Sequence, residues 1–141
     1  MVGVLIATQG PIGKALLETA NDLLGAQSVG ASFISLSDRD DQTEAQERLI
    51  AAVDAVGTEE GVLVLVDMFG STPSTMAMSL LASHKVEVLT GVNLAMVLKA
   101  LISRHNTSLA DLSATVLAYG RRNVTSSATW LSPAHQNEGR N

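Results

Sequence analysis

A chain of 141 residues with a hydrophobic fraction of 46% has enough apolar surface for one compact domain with a real core. An aromatic content of 3% and a formal net charge of −5 argue against nucleic-acid binding, which needs stacking rings and a basic surface. The absence of cysteine excludes disulfides, thiol nucleophiles and thiolate metal sites, and no run reaches the roughly 18 apolar residues of a membrane span, so no direct membrane insertion is expected.

Val2–Thr8 is a short continuous apolar run of the kind that forms a strand covered on both faces. No basic stretch precedes it, so it does not read as a signal peptide, and a cytoplasmic protein is expected. Gly10 and Pro11 break the strand. From Ile12 the apolar residues Ala15, Leu16, Leu17, Ala20, Leu23 and Leu24 recur at helical spacing, with Gly25 as the stop. Ala31–Leu36 is a second strand candidate, and Thr43–Val56 an amphipathic helix with Ala45, Leu49, Ile50 and Val53 inward. Val62–Val66 is the clearest buried strand. It runs into Asp67–Pro73, a loop rich in helix-starting residues, and Ser74–Ala82 continues as a helix.

Val86–Leu89 is a fourth short strand, followed by Thr90–Asn93 and a helix to about Ser103. Leu109–Tyr119 reads as a further helix closed by Gly120, and Val124–Trp130 has the β-branched composition of an edge strand. The alternation predicts a single α/β domain over 1–131. Its sheet is mostly parallel with helices on both faces, with an extra antiparallel strand at the C-terminal end. Residues 132–141 read as a disordered tail.

In an open α/β sheet, ligands collect beyond the carboxyl ends of the strands, where strand order reverses. Three such ends carry suggestive residues: Thr8, Gln9 and Gly10; Asp67–Pro73; and Thr90–Asn93. Gly70, Ser71 and Thr72 suit an anion, because small side chains leave the backbone N–H groups at a helix start open to phosphoryl oxygens. The same residues also serve in ordinary strand-to-helix turns as caps. Nucleotide motifs are missing: Gly10, Gly13 and Lys14 lack P-loop spacing, and Ala15 stands where a magnesium-binding hydroxyl is needed. Asp67 has no acidic neighbours with which to hold magnesium, so neither a metal nor another cofactor is expected.

Three stretches resemble one family. Residues 3–10 (GVLIATQG) resemble the opening strand of the mannose-family IIA domain of the bacterial phosphoenolpyruvate:sugar phosphotransferase system, which ends in Thr or Ser, His, Gly. Residues 63–74 (LVLVDMFGSTPS) resemble its Asp-Leu-Phe-Gly-Gly-Thr-Pro loop, and residues 86–96 (VEVLTGVNLAM) its Thr-Gly-Val-Asn-Leu-Pro-Met segment. The resemblance covers about Met1–Arg122, in the family's order and spacing. It implies a phosphoryl relay in which HPr phosphorylates a histidine at the end of the first strand, which then passes the group to a IIB domain. It also implies that Asp67 orients the acceptor ring, that Thr8 and the Gly70, Ser71 and Thr72 loop hold the phosphoryl oxygens, and that the protein is a homodimer exchanging its last strand.

The chain departs from the pattern at the acceptor, where Gln9 stands for histidine. An imidazole nitrogen has a free lone pair. The glutamine nitrogen's lone pair is delocalised into its carbonyl, so phosphoryl acceptance is expected to be lost, while the Gln9 amide can still donate to Asp67. Ser71 replaces the second glycine of the loop, and Ala95 a proline. Of the histidines, His84 precedes the fourth strand at its amino end, His105 follows a helix and His135 lies in the tail; all three read as solvated. Two other readings stand beside an acceptor-less phosphocarrier: a regulatory protein-binding domain, and an anion- or small-ligand-binding module.

Overall fold

The computed structural model describes residues 1–134, so His135 and the remainder of the expected disordered tail lie outside the described residues. Four parallel strands form one sheet: β1 (Gly3–Thr8), β2 (Ala31–Ser35), β3 (Val62–Val66) and β4 (Val86–Leu89), in the spatial order β2-β1-β3-β4. Connecting and following them are α1 (Ile12–Leu24), α2 (Gln42–Val56), α3 (Thr72–Met78), α4 (Leu94–Ser103), α5 (Leu109–Arg122) and α6 (Ser127–Trp130). The domain is α/β with a parallel sheet, as the alternating pattern requires.

Side-chain alternation along the strands divides the core into two halves. Leu5 and Ala7 of β1 with Val62, Val64 and Val66 of β3 face α2 and α3, meeting Leu49, Val53 and Met76. Val4 and Ile6 with Leu63 and Leu65 face the other way, onto Leu17 of α1, Val97 and Leu101 of α4, and Leu112 and Val116 of α5. Both central strands are buried on both faces, which is why they read as unbroken apolar runs.

Local chemistry sets the helix ends. Asp41 caps α2 through Glu44 N–H, Asn93 caps α4 through Met96 N–H, and Ser108 caps α5 through Asp111 N–H. α3 starts at Thr72, earlier than the periodicity suggests, because Ser71 caps it and Pro73 tolerates a first-turn position. α5 runs through Gly120 to Arg122. Gly120 is a packing residue there: a Cβ would stand 2.5 Å from Met96 Cγ, so the missing side chain admits α4.

The antiparallel strand expected over Val124–Trp130 is not formed. Ser126 instead accepts a hydrogen bond from Thr129 N–H and starts the single turn of α6. A lone terminal segment satisfies its backbone locally in this way, whereas a strand needs an edge to pair with. At the amino end of the sheet, Arg104, which follows α4, accepts from Val2 N–H at 3.1 Å. That contact places the neighbouring His105 at the end of the domain opposite the strands' carboxyl ends.

Candidate functional site

The chain leaves β1 toward β2 on one side and returns in β3 on the other, so strand order reverses between β1 and β3. Ala7 pairs with Val66 in register, and the residues just beyond, Gln9 and Asp67, emerge side by side in the crevice where such sheets bind ligands. Each loop turns at a glycine with positive φ, Gly10 (57°) and Gly70 (88°), a conformation that side chains with a Cβ resist.

Asp67 is the hub. Its Oδ2 accepts from Gln9 N–H at 2.9 Å, and its Oδ1 from Met68 N–H at 2.8 Å and from the Ser71 hydroxyl at 2.5 Å. Its backbone carbonyl accepts from Gly91 N–H, and that of Val66 from Val92 N–H, tying the third loop to the same point. The Gln9–Asp67 contact expected from sequence is present, but it is made by the backbone. The Gln9 side chain is exposed and makes no hydrogen bond among the described residues.

Thr8 is fully buried, and its hydroxyl accepts from Gly13 N–H at 2.8 Å, closing the turn into α1. Ser71 is likewise engaged: its N–H donates to Met68 O, and its hydroxyl donates to Asp67 while accepting from Ser74 N–H. Neither residue turns a free donor toward solvent here. The N–H groups of Gly10, Phe69, Gly70 and Thr72 have no acceptor among the described residues. Sequence reasoning had not singled out Phe69. Its ring is 77% exposed beside exposed Met68 and Ile12, so an apolar rim surrounds position 9.

Burial pulls the Asp67 carboxyl up. The hydrogen bonds from Ser71 and from the Gln9 and Met68 amides outweigh it and hold the group below the ordinary carboxylate range. A group whose folded pKa is depressed stabilises the fold above its unfolded pKa, about 3.9 for Asp, and that contribution is lost as pH falls through the folded value. Asp67→Asn is therefore expected to lower the urea midpoint at pH 7 and to narrow the gap between variant and parent below about pH 4. Equal gaps at pH 7 and pH 3 would remove the carboxylate's charge from the account.

His84 sits just before β4, bonded through Nδ1 to the Ser83 hydroxyl, and His105 lies at the amino end of the sheet, so neither is near Gln9. Among the described residues no group of three or more His, Cys, Asp or Glu side chains is placed to hold a metal ion. No helix among them is long and apolar enough to cross a membrane. A cavity of about 290 Å³ opens beside the site between Gly70, Thr72 and Met76 on one wall and Ser37, Asp38 and Asp40 on the other.

Residues 3–117 match the family described as EIIA-man, PTS system fructose IIA component. The chain is 30% identical over 125 residues to the PTS system mannose-specific EIIAB component of Escherichia coli (strain K12), covering 87% of the chain and 38% of that protein. It is 32% identical over 113 residues to the PTS system fructose-specific EIIA component of Bacillus subtilis (strain 168), covering 79% of the chain and 77% of that protein. It superimposes on the mannose/sorbose specific IIA subunit of the phosphotransferase system from Enterococcus faecalis with a TM-score of 0.78 and 25% identity, over 89% of the chain and 93% of that subunit. The chain thus spans little more than a third of the length of its E. coli relative.

Proposed function

Since the chain belongs to the mannose-family IIA components of the sugar phosphotransferase system, we propose that it is a member that keeps the docking face for HPr and a IIB domain and has lost the phosphoryl acceptor. The observation that carries this reading is Gln9. It stands at the point of strand reversal, its backbone held by Asp67 and its side chain directed outward, where the family's histidine would take the phosphoryl group.

The rest of the crevice supports the same reading. Free N–H groups at Gly10, Phe69, Gly70 and Thr72 suit the phosphoryl oxygens of an incoming phosphohistidine, and Thr8 supports the turn from beneath. Exposed Ile12, Met68 and Phe69 form an apolar contact area around position 9. Without an acceptor, docking becomes competitive occupancy of HPr or IIB, which is a regulatory role at a cytoplasmic phosphoryl relay for sugar uptake. The cavity beside the loop does not favour the anion-pocket alternative, because Asp38 and Asp40 line its far wall.

The test is an isotope-edited NMR titration of the chain with unphosphorylated HPr and, separately, with a IIB domain. Shifts confined to residues around Gln9, Ile12 and Met68–Thr72 are expected. Absence of any shift at millimolar partner concentration contradicts the docking role.

The same membership supports a homodimer in which the tail packs against a partner subunit. β4 is an edge strand, and Val124, Trp130 and Leu131 of the tail are exposed apolar residues. Light scattering is expected to give a dimer mass for the full chain and a monomer mass for a chain ending at Arg122. A monomeric full chain, or a truncated chain that remains dimeric, takes the tail out of the interface.

A further inference from the structure

The family's loop has glycine where this chain has Ser71, and the serine hydroxyl is bonded at both ends. It donates to Asp67 Oδ1 at 2.5 Å and accepts from Ser74 N–H at 3.2 Å, and Ser71 is 5% exposed. Two bonds at fixed angles leave the hydroxyl hydrogen one direction, toward Asp67. With the Met68 and Gln9 amides, that makes three donors on a carboxylate offering about four acceptor sites. A hydrogen bond to an ionised oxygen at this length belongs to the strong, charge-assisted class.

In the family's transfer, a ring nitrogen lone pair on the acceptor forms the new N–P bond. The N–P bond of the donor's phosphohistidine breaks, and its electron pair returns to the donor ring. The acceptor's other ring nitrogen keeps its hydrogen, directed at the aspartate, whose negative charge stabilises the positive charge gathering on the ring. A carboxylate whose charge is already shared with a hydroxyl and two amides stabilises that ring less.

We propose that Ser71 is a positioning residue that holds Asp67 closed on its own loop, so that an acceptor ring placed at position 9 would be supported more weakly here than with glycine at position 71. The proposal rests on the preceding reading of the site as a phosphocarrier crevice without its acceptor.

The test compares Gln9→His with Gln9→His/Ser71→Gly and Gln9→His/Ser71→Ala in the full chain. Glycine is tolerated at a helix N-cap nearly as well as serine, so the first double variant folds, and the alanine variant separates loss of the hydroxyl from loosening of the loop. Phosphorylation by phospho-HPr is expected to run about tenfold faster in both double variants than in Gln9→His, the worth of one charge-assisted hydrogen bond. The imidazole introduced at position 9, followed by NMR, is expected to titrate at a pH about one unit higher in both, because the freed carboxylate favours the charged ring.

Equal titration in all three proteins overturns the role of Ser71, as does a rise in the glycine variant alone. If no variant is phosphorylated, the phosphocarrier reading fails, while the titration still decides whether Ser71 restrains Asp67.

Discussion

Gly3→Ala is expected to destabilise the domain by about 3 kcal/mol, the upper part of the range for forcing an atom into a packed core. A Cβ at Gly3 would stand 2.1 Å from the carbonyl oxygen of Val56 and 3.3 Å from Val62 Cγ2. The first atom is backbone in the last turn of α2, on the face of β1 that also carries Leu5 and Ala7. Relief requires the end of α2 to move off the sheet, with loss of contacts to Val53 and Val56. Gly120→Ala is the informative contrast. Its Cβ would meet Met96 Cγ at 2.5 Å and Sδ at 2.8 Å, but that side chain is flexible. Alanine is also the better helix former by about 1 kcal/mol. Urea unfolding is expected to place Gly120→Ala between the parent and Gly3→Ala, because the Met96 side chain can repack where the Val56 backbone cannot. A Gly3→Ala midpoint indistinguishable from the parent contradicts the packing described for the start of β1.

These two glycines mark where sequence reading stops. Gly3 lies inside an apolar run, and nothing in its neighbours reveals that α2 returns to touch it 53 residues later. Gly120 stands where a helix stop is plausible, and nothing in its neighbours reveals that α5 continues to Arg122 with Met96 packed against it. The two central strands were legible because burial on both faces leaves an unbroken apolar run, and the edge strands β2 and β4 because short apolar-rich segments fall between helices. The pairing of the ends of β1 and β3 was legible because alternating strands and helices allow few parallel topologies.

The site was legible to the level of which residues meet, and no further. Gln9 and Asp67 meet, but through the Gln9 backbone amide, which every residue but proline carries and which a reading of side chains does not reveal. Ser71 reads as a loop donor, yet both its donors are used internally, the N–H on the Met68 carbonyl and the hydroxyl on Asp67. Val124–Trp130 carries strand composition, but composition cannot supply an edge, and Ser126 turns the segment into a helix.

Gln9→His is expected to change phosphoryl acceptance from none to a detectable, acid-labile adduct, the largest functional effect any single substitution should have here. The backbone at position 9 is already held by Asp67, and a Cβ-bearing residue is already accommodated there, so the ring replaces the amide without rebuilding the turn. Its free lone pair supplies the nucleophile that a glutamine nitrogen lacks. The N–H groups of Gly10, Gly70 and Thr72 remain open for the phosphoryl oxygens. Asp67→Asn in the Gln9→His background should slow acceptance by about a hundredfold, the loss typical of one electrostatic partner in a preorganised site. An unaltered rate there would show that Asp67 does not act on the ring.

The most direct measurement is the intact mass of the unmodified chain after incubation with phosphoenolpyruvate, enzyme I and HPr, with Gln9→His treated in parallel. The expected result is an unchanged mass for the chain as written and a single added phosphoryl group on the variant. A phosphoryl adduct on the unmodified chain would contradict the account, and an adduct mapping to His84 or His105 would move the active face to the wrong end of the sheet.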